Sequence, residues 1–91
     1  MKVASAGSFQ IVEGQVANVG RNNGIVFIDF GGNGRRVFSA VIQPEDRHAF
    51  RGFDLEGLAA RRIRIRGIVE VYRGQNQIAL SNPSQIEILD K

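Results

Sequence analysis

The sequence predicts a mainly β domain, a five-stranded barrel with one short helix between its third and fourth strands. Three observations predict it. Short apolar segments rich in Ile, Val and Phe recur along the chain, divided by turns that contain Gly and Asn. One segment, opening at Gln43-Pro44-Glu45-Asp46, has the texture of a helix start and not of a strand. Glycines stand inside two of the strand segments, Gly14 and Gly67, where a sharply coiled sheet needs a bulge or tight bend.

Residues 9–19 form the first expected strand, and 20–24 a loop, because Gly and Asn tolerate positive φ. Residues 25–30 are apolar except for Asp29 and make the second strand. Gly31-Gly32-Asn33-Gly34 turns the chain into a third strand at 36–42. Pro44 then falls at a first helical position, with Glu45 and Asp46 complementing the helix dipole, and Gly52 ends the helix. Phe50, Phe53, Leu55 and Leu58 supply apolar contacts from this helix and a second short turn. From residue 61 the period returns to two: Arg62, Arg64 and Arg66 alternate with Ile63 and Ile65, and the strand continues through Gly67 to Tyr72. A hairpin at 73–76 leads to a fifth strand at 77–80, Ser81-Asn82-Pro83-Ser84 bends the chain, and 85–89 is a terminal strand segment.

Three meandering strands, a short helix and then two more strands are the layout of the OB-fold, a Greek-key barrel used for oligonucleotides and oligosaccharides. At 91 residues the chain is one domain, expected over 9–90, with the small residues of 1–8 as a flexible tail. The stretches Val26-Phe27-Ile28-Asp29-Phe30-Gly31-Gly32, Val37-Phe38-Ser39-Ala40-Val41-Ile42 and Val71-Tyr72-Arg73-Gly74-Gln75-Asn76-Gln77-Ile78, with Pro83-Ser84-Gln85-Ile86-Glu87-Ile88-Leu89, resemble small bacterial OB-fold domain proteins. The resemblance covers roughly residues 10–89 and implies nucleic-acid binding; some proteins of the group accompany nucleases or are exported. It transfers no catalytic residues.

The chain has no Cys, which removes disulfides, thiolate metal sites and a cysteine nucleophile. No stretch approaches the roughly 18 apolar residues of a membrane span, and residues 1–8 lack the apolar core of a signal peptide, so the compartment stays open between cytoplasmic and exported. The formal net charge is +3, and of the 12 basic residues only Lys2 and Lys91 are lysines. Guanidinium groups suit planar, bidentate recognition of phosphate or carboxylate. A GC-rich genome gives the same Arg-for-Lys bias without any function.

Little in the sequence suggests catalysis, and no cofactor is expected. His48 is the only histidine, which leaves no His cluster for zinc and no His-assisted triad; it is expected at the surface. Glu45 and Asp46 are adjacent, so on a helix they point about 100° apart and share no site. Asp29 is expected to pair with Arg36 across the hairpin and not to hold a metal. The Asp-x-Asp-Thr cluster of thermonuclease-type barrels has no counterpart in Ile28-Asp29-Phe30-Gly31. Gly31-Gly32-Asn33-Gly34 joins two strands and so fails the strand–loop–helix context of a phosphate-binding loop.

The expected function is therefore non-enzymatic binding of single-stranded nucleic acid with low sequence preference. The candidate face crosses strands two and three, with Arg21 in the first loop, Phe27, Arg35, Arg36 and Phe38 on the strands, and Tyr72 and Arg73 near the 4–5 loop. Arg62, Arg64 and Arg66 form a secondary basic row at about 6.6 Å intervals. The alternative is an exported or accessory barrel that binds a protein or other ligand through an exposed strand edge or the same groove, or a second copy through an exposed strand edge.

Overall fold

The structure is a computed structural model and describes residues 7–32, 35–72 and 74–90, without the side chains of 32, 35–37 and 72. The described residues form six strands: β1 (Phe9–Asn22), β2 (Ile25–Gly32), β3 (Arg35–Ile42), β4 (Arg62–Tyr72), β5 (Gln75–Ala79) and β6 (Ile86–Ile88). The neighbours run β1-β2-β3-β5-β4, and β4 pairs back onto β1, so five strands close a ring. All pairings are antiparallel except β3–β5. This is the expected OB-fold barrel. The sixth strand lies outside the ring, against β4.

Closure depends on two strands that each change partner along their length. β1 pairs with β4 from Phe9 to Gln15 and with β2 from Val16 onward. β4 leaves β1 at Ile68 and takes β5 from Val69. Gly14 and Gly67 stand immediately before these handovers, where the backbone must coil most sharply. The bulge itself is not at Gly14, which pairs regularly with Ile63; the register shifts between Val16 and Asn18.

The first three residues of the 20–24 loop expected from composition belong to β1. Gly20, Arg21 and Asn22 pair with Phe27, Val26 and Ile25, and only Asn23 (φ 53°) and Gly24 (φ 80°) turn the chain. Positive φ at both central residues is the geometry of a two-residue type I′ turn, for which Asn-Gly is the preferred sequence.

Inside the ring, Val26, Ile28 and Phe30 of β2 meet Phe38, Ala40 and Ile42 of β3, all buried, with Phe30 and Phe38 edge to face at 6.2 Å. The segment after β3 is a 3-10 helix, Pro44–Phe50, with Pro44 at its start and Gly52 (φ 84°) just beyond its end. Its Phe50, together with Leu55 and Leu58 of the following turn, joins the core. Asn82 and Gln85 cap the Pro83–Gln85 turn reciprocally, and Gln85 Nε2 also donates to the Arg66 carbonyl at 2.9 Å, which holds β6 beside β4.

Candidate functional site

Strand alternation decides what reaches the outside of the barrel. With Val26, Ile28 and Phe30 turned inward, Phe27 and Asp29 take the outer face and are half-buried. Cross-strand register extends this face over three strands, as Asp29–Ser39–Gln77 and Phe27–Val41–Ala79. Asp29 Oδ1 accepts a hydrogen bond from Ser39 Oγ at 2.8 Å, which satisfies a hydroxyl that is almost wholly covered.

An open groove of about 590 Å³ lies over this face at the end where β1 turns into β2. Its polar lining consists of four amides, Asn22, Asn23, Gln43 and Gln77. Phe27, Ile25 and Val41 supply its apolar surface. Among the described residues no charged side chain lines it. Each amide offers two donors and an accepting oxygen, and the Phe27 ring offers a flat surface. The groove is therefore equipped to hydrogen-bond and stack planar polar groups.

The residues proposed from sequence do not all converge here. Phe27 lies in the groove. Phe38 does not: it faces Phe30 in the interior with no exposed surface, so it packs the core and cannot stack on a ligand. Arg21 is also displaced from the face. It lies opposite the buried Val26, so its side chain leaves β1 on the interior-facing side and forms an ion pair with Glu56 beneath the barrel. The hydrogen bond from Arg21, then one from its own backbone, hold the Glu56 carboxyl below its ordinary pKa. Arg35 and Arg36 pair through their backbones with Gly32 and Gly31, and Tyr72 with Gln75, but those three side chains lie outside the described residues, as does all of Arg73. The expected Asp29–Arg36 pair falls outside them for the same reason.

The secondary basic row is not a free row of cations. Arg64 donates to Glu13 Oε2 at 2.9 and 3.1 Å and to Glu87 Oε1 at 2.9 Å, while Arg62 approaches Glu13 at 3.8 Å and Arg66 approaches Glu87 at 3.7 Å. Hydrogen bonding to Glu13, ahead of that to Glu87, raises the pKa of Arg64 further. These arginines knit β1, β4 and β6 together. Each has a carboxylate within 4 Å, three guanidinium groups sharing two carboxylates.

The sequence reading missed the amides. In the sequence Asn22 and Asn23 read as loop residues and Gln43 as the opening of the helical segment, though all adjoin the expected face. Among the described residues no three His, Asp or Glu side chains gather to hold a metal ion, and no helix is long and apolar enough to cross a membrane.

The ring of strands and its connectivity define an OB-fold barrel. No protein-family model and no curated protein sequence matches the chain. Solved structures do. An OBody, AM1L10, bound to hen egg-white lysozyme is 28% identical, with a TM-score of 0.69 over 94% of this chain and 83% of that one. A second, OBody AM3L15, also bound to hen egg-white lysozyme, is 22% identical with a TM-score of 0.65 over 94% and 80%. Asparaginyl-tRNA synthetase from Pyrococcus horikoshii is 16% identical with a TM-score of 0.64; the match covers 92% of this chain but 20% of the synthetase. The resemblance to small bacterial OB-fold domains thus carries as far as the barrel.

Proposed function

We propose that this chain is a non-enzymatic module that binds single-stranded nucleic acid across β2, β3 and β5 with low sequence preference. The observation that carries the reading is the groove itself: an exposed part of Phe27 set among four amide side chains, on the face where OB-folds take oligonucleotides. Bases stack on Phe27 and hydrogen-bond to the amides, an arrangement tolerant of sequence because every base has a flat face and polar edges. A fold shared with a part of a tRNA synthetase agrees with this reading.

The arginines that would meet phosphates are Arg35, Arg36 and Arg73. Arg35 and Arg36 open β3, and Arg73 falls in sequence between β4 and β5; the starts of β3 and β5 share one end of the face because the two strands run parallel. The groove is at the other end. From residue 36 to residue 41 the strand rises about 16 Å, so the bound strand spans a few nucleotides between the amide end and the arginine end. With Arg21 withdrawn to Glu56, only about two or three phosphates are neutralised, giving a salt slope of roughly −1.5 to −2. Fluorescence anisotropy of labelled oligonucleotides at two salt concentrations tests the proposal. Binding that weakens with salt by this amount is expected; no binding, or binding indifferent to salt, overturns it.

A second reading is favoured by two observations. The described groove lining is uncharged, and the structure at TM-score 0.69 is a barrel bound to a protein. On that reading the same face takes an extended polypeptide. Competition between an oligonucleotide and a captured protein partner, scored with a Phe27→Ala variant, separates the two.

A further inference from the structure

The arginines of this chain are not equivalent. Arg61, Arg62, Arg64 and Arg66 each stand within 2.9–3.8 Å of a carboxylate. The guanidinium groups of Arg47 and Arg51 have no ion-pair or hydrogen-bond partner among the described residues, although the Arg51 backbone N–H donates to the His48 carbonyl at 3.3 Å. Arg47 is in the 3-10 helix after β3 and Arg51 directly follows it, both exposed. They open onto a hollow of about 380 Å³ that also takes in Arg21, His48, Phe53 and Glu56.

The charge in this hollow is unbalanced. Three guanidinium groups face a single carboxylate, and that carboxylate is already engaged by Arg21. The other acidic residues of the segment, Glu45, Asp46 and Asp54, do not line it, and Asp54 Oδ1 is occupied by the Gly57 N–H at 3.1 Å. A concave surface with one sign of charge concentrates counter-ions, and a guanidinium matches a phosphoryl group through paired N–H donors. The hollow also has a flat apolar side: Phe53 is half-buried and held edge to face against Phe50 at 6.2 Å. Its volume is at the lower end of the roughly 300–1,000 Å³ typical of small-molecule sites.

We infer that this hollow binds a phosphomonoester bearing a planar ring, the chemistry of a nucleoside monophosphate. Arg47 and Arg51 hold the phosphate, and Phe53 receives the ring. The site is separate from the groove, because Arg21 and Asn22 are successive residues of β1 and face opposite sides of the strand. It therefore stands or falls independently of oligonucleotide binding.

Titration of the full chain with adenosine monophosphate, inorganic phosphate and adenosine, followed by amide chemical shifts and calorimetry, tests the site. The monophosphate is expected to bind saturably, tighter than phosphate or adenosine alone, with shifts concentrated in residues 47–58. The double variant Arg47→Ala/Arg51→Ala is expected to lose roughly tenfold or more in affinity, the scale of two exposed charge-assisted contacts. Arg62→Ala/Arg66→Ala removes the same charge from the β4 row, which does not line the hollow, and is expected to leave affinity unchanged. Absence of saturable binding overturns the assignment. So does an equal loss in both double variants, which means general charge attraction, and so do shifts centred on Phe27 and Gln77, which place the nucleotide in the groove.

Discussion

Gly67 stands so close to Ile78 that a Cβ at residue 67 would come within 2.6 Å of Ile78 Cγ2. The approach occurs where β4 exchanges β1 for β5, and Ile78 is a fully buried side chain of the adjoining strand. The amide of Gln85, which anchors the approach to β6, would lie at 3.1 Å from the same atom. Gly67→Ala is expected to destabilise the barrel by about 1–3 kcal/mol, the scale of overpacking in a filled core. Urea unfolding monitored by circular dichroism measures it; a midpoint equal to that of the wild type contradicts the argument.

Phe27 and Phe38 are expected to respond in opposite ways to truncation. Phe38→Ala empties a fully buried position and should cost about 3–5 kcal/mol of stability. Phe27→Ala should chiefly remove a stacking surface, weakening oligonucleotide binding by about 1–3 kcal/mol. Thermal melts and anisotropy on both variants separate the two roles. If Phe27→Ala binds as well as the wild type, the groove is not where bases stack.

The Arg62, Arg64 and Arg66 row is expected to matter for cohesion and not for the ligand. Arg64→Ala removes the hydrogen-bonded partner of both Glu13 and Glu87, leaving only the longer contacts to Arg62 and Arg66, and should lower the melting temperature, with a deficit that shrinks at high salt as the lost pairs are screened. Oligonucleotide affinity at fixed salt should remain close to that of the wild type. A loss of affinity comparable to that of Phe27→Ala would return the row to the binding surface.

Glu56 gives a dependence on pH with a definite sign. Its folded-state pKa is lowered, chiefly by the hydrogen bond from Arg21. The pair therefore adds stability above the ordinary glutamate range and loses it as pH falls through the lowered value. Wild type should melt above Glu56→Gln near neutral pH, and the gap should close in acid. The gap is expected to be small, since both side chains are well exposed. A gap that widens in acid reverses the assignment.

The ring of strands was legible because the signals for it are local. The alternation of Arg62, Ile63, Arg64, Ile65 and Arg66 and the Pro44 helix start both depend on neighbouring residues. The 1–2 turn was misread because composition cannot tell a Gly- and Asn-rich strand end from a loop. Pairing of Gly20 to Asn22 with β2 decides it, leaving Asn23-Gly24 to turn. Phe38 was misplaced for a related reason. Between Phe30 and Gly31 the β2–β3 register shifts, so Phe30 faces Phe38 while Gly31 faces Arg36, and inward and outward positions cannot be counted across the turn. The partners of Arg64 were equally out of reach, because Glu13 is 51 residues away and Glu87 is 23.

The parallel join between β3 and β5 rests on three residue pairs, Ser39–Gln77, Ala40–Ile78 and Val41–Ala79, followed by one hydrogen bond from Leu80 N to the Val41 carbonyl. Among the described residues no other join in the ring is so short. Val41 and Gln77, from its two sides, both line the groove, so whatever lies there straddles the place where the cylinder unzips most readily. A guest spanning that seam acts as a clasp, and slowed amide hydrogen exchange along Ser39–Val41 and Gln77–Leu80 would be the imprint it leaves.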